Sequence, residues 1–253
     1  MKRTVLSILL LTLLLISCSD KKSEKDIEKQ EAKPPVDSTL KPTEETSELQ
    51  IHESKYRILP VDESATDKSL HTFVTKLKEI VSRKDVPGLI SCLDTGIVSS
   101  WGGGMTGVQT FLVESKLDMY PETSLFWSIM KRYLALGGAW DDKKRIFRFP
   151  YAQCDRFIKD MDLDFDWYFT AVCISPKTIV YDKPASNSKK KAMLSYEVLK
   201  FTGSIDGFTK IETTDKKISG FVKEEQLIFS GEAHPILEKI NGQWKITSFA
   251  PYD

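Results

Sequence analysis

The apolar and polar positions divide the chain into stretches with different patterns. Residues 5–16 are apolar apart from Ser7 and Thr12, whereas residues 19–50 are highly charged. From residue 67 the apolar positions recur every three or four residues, which is typical of helices with one buried face. After residue 167 they alternate, as they do in β-strands. The sequence therefore predicts a helical part followed by a β part.

A mostly helical module is predicted for residues 51–166. Its first helix begins after Asp67, a residue type suited to the N-cap position. The buried face of this helix has the i, i+3, i+4, i+7 spacing and consists of Leu70, Phe73, Val74, Leu77, Ile80 and Val81. Further helices are predicted over residues 87–93, 107–117 and 123–136, and short strands over 97–101 and 145–151.

A small β-barrel is predicted for residues 167–230. Prolines, glycines and charged turns separate short alternating runs over residues 172–174, 178–181, 192–201, 208–212 and 220–227. We therefore expect an α+β fold, in which the helical module packs against this barrel.

A C-terminal β-hairpin is predicted for residues 231–253, and it completes the expected fold by packing on the same body. Asn-Gly at positions 241 and 242 lies between two alternating runs, which predicts a type I′ turn. That turn pairs Leu237 with Ile246 on one face and Glu238 with Lys245 on the other.

The N-terminus combines positive charge, a short apolar stretch and a cysteine. Lys2 and Arg3 precede an apolar stretch that is shorter than the roughly 20 residues needed to span a bilayer. Leu15-Ile16-Ser17-Cys18 follows and resembles the lipobox of bacterial lipoproteins. The resemblance implies that residues 1–17 are a signal peptide and that Cys18 carries the lipid that anchors the mature chain in the membrane. An uncleaved membrane anchor is the alternative.

Residues 18–50 are expected to form a disordered, flexible stalk. Residues 19–50 contain nine acidic residues, six lysines, three prolines and no aromatic residue. Such a stretch buries too little apolar surface to offset its ordering entropy. As a random coil it would span roughly 30 Å.

Residues 178–227 contain a series of short motifs, which are Ile179-Val180-Tyr181 with Pro184, the turn around Met193 to Glu197, Gly207-Phe208, and Gly220-Phe221-Val222. In this order they resemble the pattern of the bacterial SH3 domain. The whole arrangement also resembles uncharacterised SH3-like lipoproteins of Gram-negative bacteria. The resemblance implies a binding barrel in the cell envelope. We expect an anchor in the outer membrane in preference to the inner membrane, although Asp20 after Cys18 would favour inner-membrane retention by analogy with enterobacterial sorting.

Charge and cysteine content narrow the function further. The chain has 36 Lys+Arg and 36 Asp+Glu, and no basic block follows the stalk, which argues against nucleic-acid binding. Besides Cys18 there are Cys92, Cys154 and Cys173, which allow either one disulfide or three buried thiols. The expected partners are therefore the membrane, through the lipid, and an envelope protein, a peptide or a peptidoglycan fragment.

No catalytic constellation, metal site or cofactor is predicted. The three histidines lack zinc-ligand spacing. Gly102 to Gly107 satisfies G-x-G-x-x-G, but no second strand with an acidic residue follows, so we interpret it as a turn. Asp160, Asp162, Asp164 and Asp166 begin like an EF-hand loop, yet Phe165 and Ala171 occupy its glycine and glutamate positions. We interpret this row as a solvated face that alternates with inward-facing Met161, Leu163, Phe165 and Trp167.

Aromatic side chains are the best candidates for a binding surface. Trp167, Tyr168, Tyr181 and Tyr196 are predicted to contact a ligand, because SH3-like grooves hold extended peptides on aromatic faces. Phe208 and Phe221 are expected to fill the barrel. The sequence thus favours a membrane-anchored binding protein. The alternatives are an enzyme or metal-dependent hydrolase of the cell envelope and a purely structural envelope protein.

Overall fold

Two β-sheets and four α-helices make up the computed structural model, which describes residues 49–99 and 106–251. All of these residues belong to one compact unit, residues 47–253. The predicted signal peptide, Cys18, most of the stalk and most of the glycine run lie outside the described residues. None of the described helices is both long and apolar enough to cross a membrane.

The elements follow one another along the chain with most helices in the first half. In chain order they are β1 (Ile51–His52), α1 (Lys68–Arg83), α2 (Val86–Cys92), β2 (Leu93–Val98), α3 (Val108–Glu114), α4 (Phe126–Leu136), β3 (Ala139–Trp140), β4 (Phe147–Arg148), β5 (Thr170–Cys173), β6 (Thr178–Tyr181), β7 (Lys190–Leu194), β8 (Val198–Ile205), β9 (Phe208–Thr213), β10 (Ser219–Lys223), β11 (Leu227–Phe229), β12 (His234–Ile240) and β13 (Gln243–Ala250).

The larger sheet has eight strands in the order β1-β7-β6-β10-β9-β8-β5-β11 and curves into a half-barrel. Its neighbours are antiparallel except at one edge, where β1 runs parallel to β7 and pairs Ile51 with Met193. The smaller sheet has five strands in the order β2-β13-β12-β4-β3. Its centre is the β12–β13 hairpin.

The C-terminal hairpin is confirmed in its predicted register. Leu237 lies opposite Ile246, and Glu238 lies opposite Lys245. Asn241 and Gly242 both have positive φ, 49° and 80°, which is the backbone of a type I′ turn. Parallel pairing with β2 and antiparallel pairing with β4 then place the hairpin at the middle of its sheet.

The predicted fold class is wrong. Residues 51–166 do not form a mostly helical module, because β1 joins the half-barrel while β2, β3 and β4 join the smaller sheet. The strands after residue 167 do not close into a small SH3-like barrel either. They belong to an eight-stranded sheet, and the edge strand β1 of that sheet comes from the start of the compact unit. β1, β3 and β4 are two residues long, so they leave no detectable periodicity.

The first helix forms as predicted. The Asp67 carboxylate accepts hydrogen bonds from the backbone N–H groups of Ser69 at 2.7 Å and Leu70 at 3.0 Å, which caps the helix. The buried face of α1 consists of Leu70, Val74, Leu77, Ile80 and Val81. It packs against α2, α4 and β13, so the helices cover the smaller sheet.

Two hydrophobic clusters form the core. The larger one joins the helices to the smaller sheet and contains the Trp140 and Trp244 rings, whose centroids are 5.6 Å apart. The smaller one fills the half-barrel. Cys92, Cys154 and Cys173 are all buried free thiols. They therefore pack as small apolar side chains, one of the two arrangements that the sequence allowed.

Candidate binding groove

A groove of about 670 Å³ opens beside α3, α4 and the loop between them. Phe126 and Phe249 form part of its floor, and apolar side chains also line its walls and rim. These are Val113, Met119, Tyr120, Leu125 and Ile129. The volume lies in the range of sites that bind ligands or partner side chains.

The apolar side chains around this groove are unusually exposed. Leu125 is 75 % exposed, Met119 70 %, Tyr120 58 % and Val113 52 %. Single apolar residues at a surface need no explanation, but a group that borders one concavity marks an interaction site. Covering such side chains releases about 25 cal/mol for each Å² of apolar surface removed from water.

The loop between α3 and α4 holds the rim in place through its own hydrogen bonds. The Ser124 hydroxyl donates to the Ser115 carbonyl at 2.5 Å and accepts from the Phe126 N–H at 3.1 Å. The Trp127 indole donates to the Pro121 carbonyl at 2.6 Å. These bonds satisfy backbone groups inside the loop, so the rim presents mainly side chains to an incoming partner.

An aromatic trio supports the floor. Phe126 lies edge-on to Phe111, with ring centroids 5.4 Å apart, and to Phe249, at 5.2 Å. Phe111 and Phe249 are 6.1 Å apart. Because the three rings come from α3, α4 and β13, the hairpin strand and both helices fix the groove together.

Few charges border the groove. Glu114, Asp118 and Lys116 are its charged lining residues. Across the described ranges, no group of three or more His, Cys, Asp and Glu side chains is placed to hold a metal ion. The chemistry that this surface offers is the burial of apolar side chains.

A second, smaller groove of about 260 Å³ lies on the segment between β4 and β5. Its lining includes Met161, Leu163, Phe165 and Trp167, while Asp160, Asp162, Asp164 and Asp166 are exposed. The predicted inward and outward alternation of this segment is therefore confirmed, although the segment is not a strand.

The four predicted contact residues have different environments. Trp167 lines the second groove, and Tyr168 follows it on the same 3-10 turn and is 50 % exposed. Tyr181 is only 6 % exposed and packs edge-on against Phe208, with centroids 5.7 Å apart. Tyr196 is half-buried in a left-handed turn, φ 55°, between β7 and β8. Of the four, Tyr168 is therefore the most exposed and Tyr181 the most buried.

The interior of the half-barrel also differs from expectation at one position. Phe221, expected to fill it, is only half-buried, whereas the neighbouring Val222 is fully buried. Gly220 has no room for a side chain, because a Cβ there would lie 2.5 Å from the Tyr181 carbonyl oxygen. The alternation of β10 therefore directs Gly220 and Val222 inward.

A buried polar cluster lies on the paired strands β4 and β12 of the smaller sheet. The Arg148 Nη1 lies 3.3 Å from Nε2 of His234, which is 1 % exposed. A guanidinium can only donate, so Nε2 accepts and Nδ1 carries the proton, 3.1 Å from the Glu232 carbonyl oxygen. Burial, aided by the nearby Arg148 charge, lowers the pKa of His234 to about 4. This imidazole is therefore a neutral structural group at pH 7.

The sequence did not reveal the larger groove. Met119 and Tyr120 lie between two predicted helices, and Leu125 lies near the start of the second but not on its predicted buried face. Large apolar residues in and beside a short connecting loop are a usable signal, because loops at a surface are otherwise mostly polar.

Comparisons with models of protein families, with curated proteins and with solved structures found no match for this chain.

Proposed function

We propose that this chain is a lipid-anchored protein of the bacterial cell envelope that binds a partner protein in the groove beside α3 and α4. The observation that carries the proposal is the set of apolar side chains, each more than half exposed, around one preformed concavity. An exposed surface of this kind is costly in water and is typical of a docking site.

The groove suits the apolar face of an amphipathic helix. A helix satisfies its own backbone hydrogen bonds, whereas an extended peptide needs the open edge of a sheet. The groove is lined by helices and by a loop whose backbone groups are bonded internally. Leu125 and Met119 are the most exposed of the apolar lining side chains, and the apolar face of a helix would cover both.

Anchoring at Cys18 is supported by the lipobox-like Leu15 to Cys18 and by the composition of the stalk. Two or more acyl chains hold a protein stably at a membrane, whereas one holds it only marginally. A lipidated Cys18 with a flexible stalk would leave the folded unit free to meet a partner in the envelope. We place the anchor in the outer membrane in preference to the inner membrane.

Metabolic labelling with palmitate tests the anchor. The parent chain should take up label and lose residues 1–17, whereas Cys18→Ser should remain unlabelled and uncleaved at this site. Equal labelling of both chains would refute lipidation at Cys18.

Photocrosslinking in intact cells tests the groove. A photoreactive amino acid at position 125 should form an adduct with one envelope protein, at residues spaced along one face of a helix. Met119→Asp should abolish this adduct, because a carboxylate on the rim must then be desolvated. Ile205→Asp, which changes a side chain that is 52 % exposed on the β8–β9 hairpin, is the matched control.

Three results would each exclude a helix docked in this groove. These are the absence of an adduct at position 125, adducts only with lipid, and equal loss of the adduct with Met119→Asp and Ile205→Asp. Circular dichroism of residues 47–253 carrying either change checks that both variants remain folded.

A further inference from the structure

The second groove combines an apolar interior with an acidic border. Its apolar lining consists of Ile158, Met161, Leu163, Phe165 and Trp167, and Asp155 and Lys159 line it as well; Ile158 is 7 % exposed. Met161, Leu163 and Trp167 also pack against the larger hydrophobic cluster, so the inner wall is anchored in the core. The groove is therefore a fixed feature of this segment.

The turn that carries Trp167 is held by its neighbour. Asp166 accepts a hydrogen bond from the Tyr168 N–H at 2.9 Å, which caps the 3-10 turn at Trp167–Phe169. The indole is thereby positioned on the groove before any ligand binds. An aromatic face held in this way can accept both apolar groups and cations.

The border of the groove carries unbalanced negative charge. Asp160, Asp162, Asp164 and Asp166 alternate with the lining side chains and are exposed. Lys216 forms an ion pair with Asp164, and Lys159, which lines the groove, forms one with Asp142 outside the row. No salt bridge within the described residues reaches Asp160 or Asp162, so two carboxylates beside the groove are available to a cation.

Lysines of the half-barrel already show how this surface accepts a cation. The Lys200 ammonium from β8 lies 5.7 Å from the centroid of the Phe165 ring. Lys216, from the turn between β9 and β10, contacts Asp164. One lysine therefore contacts an aromatic face of the groove and another contacts its acidic border, which are the two contacts that a basic partner would repeat.

We propose that this second groove binds a basic amphipathic segment of another protein. Apolar side chains of that segment would cover Trp167, Met161 and Leu163, and its lysines or arginines would pair with Asp160 and Asp162. Charge complementarity selects this occupant, because an acidic or neutral segment would leave both carboxylates unpaired. The site is separate from the groove beside α3 and α4, and it shares no lining residue with that groove.

Peptide binding to residues 47–253 tests this inference. The probes are a short fluorescent peptide of alternating lysine and leucine and its counterpart with glutamate in place of lysine, compared by fluorescence anisotropy. The lysine peptide should bind and weaken as salt is raised, and the glutamate peptide should not bind.

Matched variants locate the binding. Asp160→Asn with Asp162→Asn should weaken binding of the lysine peptide by about tenfold, the effect expected of two exposed ion pairs. Glu224→Gln with Glu225→Gln changes the overall charge equally at the 3-10 turn before β11 and should leave the affinity unchanged. Trp167→Phe keeps an aromatic ring on the groove, whereas Trp167→Ala should weaken binding further.

Two results would overturn the inference. Equal weakening by the two double variants would show diffuse charge attraction, and unchanged affinity in Trp167→Ala, with folding confirmed by circular dichroism, would place the peptide elsewhere. Met119→Asp should not change the affinity, so failure of this site and failure of the groove beside α3 and α4 can be told apart.

Discussion

Ser54 donates two hydrogen bonds to the carboxylate of Glu197, one from its backbone N–H at 2.6 Å and one from its hydroxyl at 2.5 Å. The two residues are 143 positions apart, and Glu197 is completely buried. Nearby, the Arg57 Nε donates to the Ser195 carbonyl at 2.9 Å. These bonds fasten the segment after β1 to the turn between β7 and β8.

This contact predicts a pH-dependent stability. Burial raises the pKa of Glu197 above its ordinary value of 4.5, although the bonds from Ser54 oppose the shift. A raised pKa means that the folded chain binds this proton more tightly than the unfolded chain does. The contribution of Glu197 to stability is therefore fully present below pH 4.5 and is lost as pH rises through the raised pKa.

Urea unfolding of the parent and of Glu197→Gln at several pH values measures this contribution. The variant cannot titrate, so the parent should gain stability relative to it as pH falls through the raised pKa towards 4.5. A stability difference that stays constant across this range would contradict the prediction.

The contribution of His234 to stability should change with pH in the direction opposite to that of Glu197. Its pKa is lowered from 6.5 to about 4, chiefly by burial, so the unfolded chain binds this proton first as pH falls. The free energy of unfolding should therefore decrease between pH 6.5 and about 4. A shift of this size corresponds to a loss on the order of 3 kcal/mol.

His234→Gln keeps a polar side chain but does not titrate. Its free energy of unfolding should decline less steeply than that of the parent over the same pH range, as measured by chemical denaturation. Parallel pH profiles for the two chains would show that His234 is not the group responsible.

Gly138 should not tolerate a side chain. A Cβ at this position would lie 2.3 Å from the ring of Phe147 and 2.7 Å from the Arg148 carbonyl oxygen. Because Phe147 is fully buried, Gly138→Ala should cost about 1–3 kcal/mol of stability or more. Gly231→Ala, where a Cβ meets nothing within 4 Å, is the control and should be neutral or slightly stabilising. Equal melting temperatures for the two variants would contradict the predicted clash between a side chain at position 138 and Phe147.

Substitution of Tyr181 should destabilise the fold more than substitution of Tyr168, because Tyr181 is buried and Tyr168 is half exposed. Tyr181→Ala removes a nearly buried ring from contact with Phe208 and should cost about 3–5 kcal/mol. Tyr168→Ala removes a half-exposed ring and should change stability by less than about 1 kcal/mol. Thermal unfolding distinguishes them, and similar losses in both would show that Tyr168 also belongs to the core.

Local signals made part of the fold predictable. Helix α1 was predicted from Asp67 and the apolar spacing that follows it, and the β12–β13 hairpin from Asn241-Gly242 and the alternation on either side. These signals act over a few residues, and both the helix and the hairpin are confirmed. Pairing between distant segments left no such signal. Leu93 pairs with Ile246, and Ile51 with Met193, so the two sheets could not be assembled from neighbouring patterns.

The candidate sites were predictable to a similar extent. The alternation from Asp160 to Trp167 correctly indicated which side chains face inward, because it depends on neighbouring residues alone. Tyr181 was expected to contact a ligand, but its exposure depends on Phe208 in another strand, which alternation does not specify. The groove beside α3 and α4 depends on Phe249 from the C-terminal hairpin and was not predicted.

The parallel strand β1 also determines where mechanical load would act. In a chain held at Cys18, a pull on the folded unit would first load the two paired residues of β1, then the Ser54–Glu197 contact and the backbone hydrogen bonds of Tyr56, Ile58 and Glu63. Only after these yield would tension reach α1. Such a chain could release the edge of its half-barrel under strain from the envelope while α3, α4 and β13, which form the larger groove, kept their arrangement.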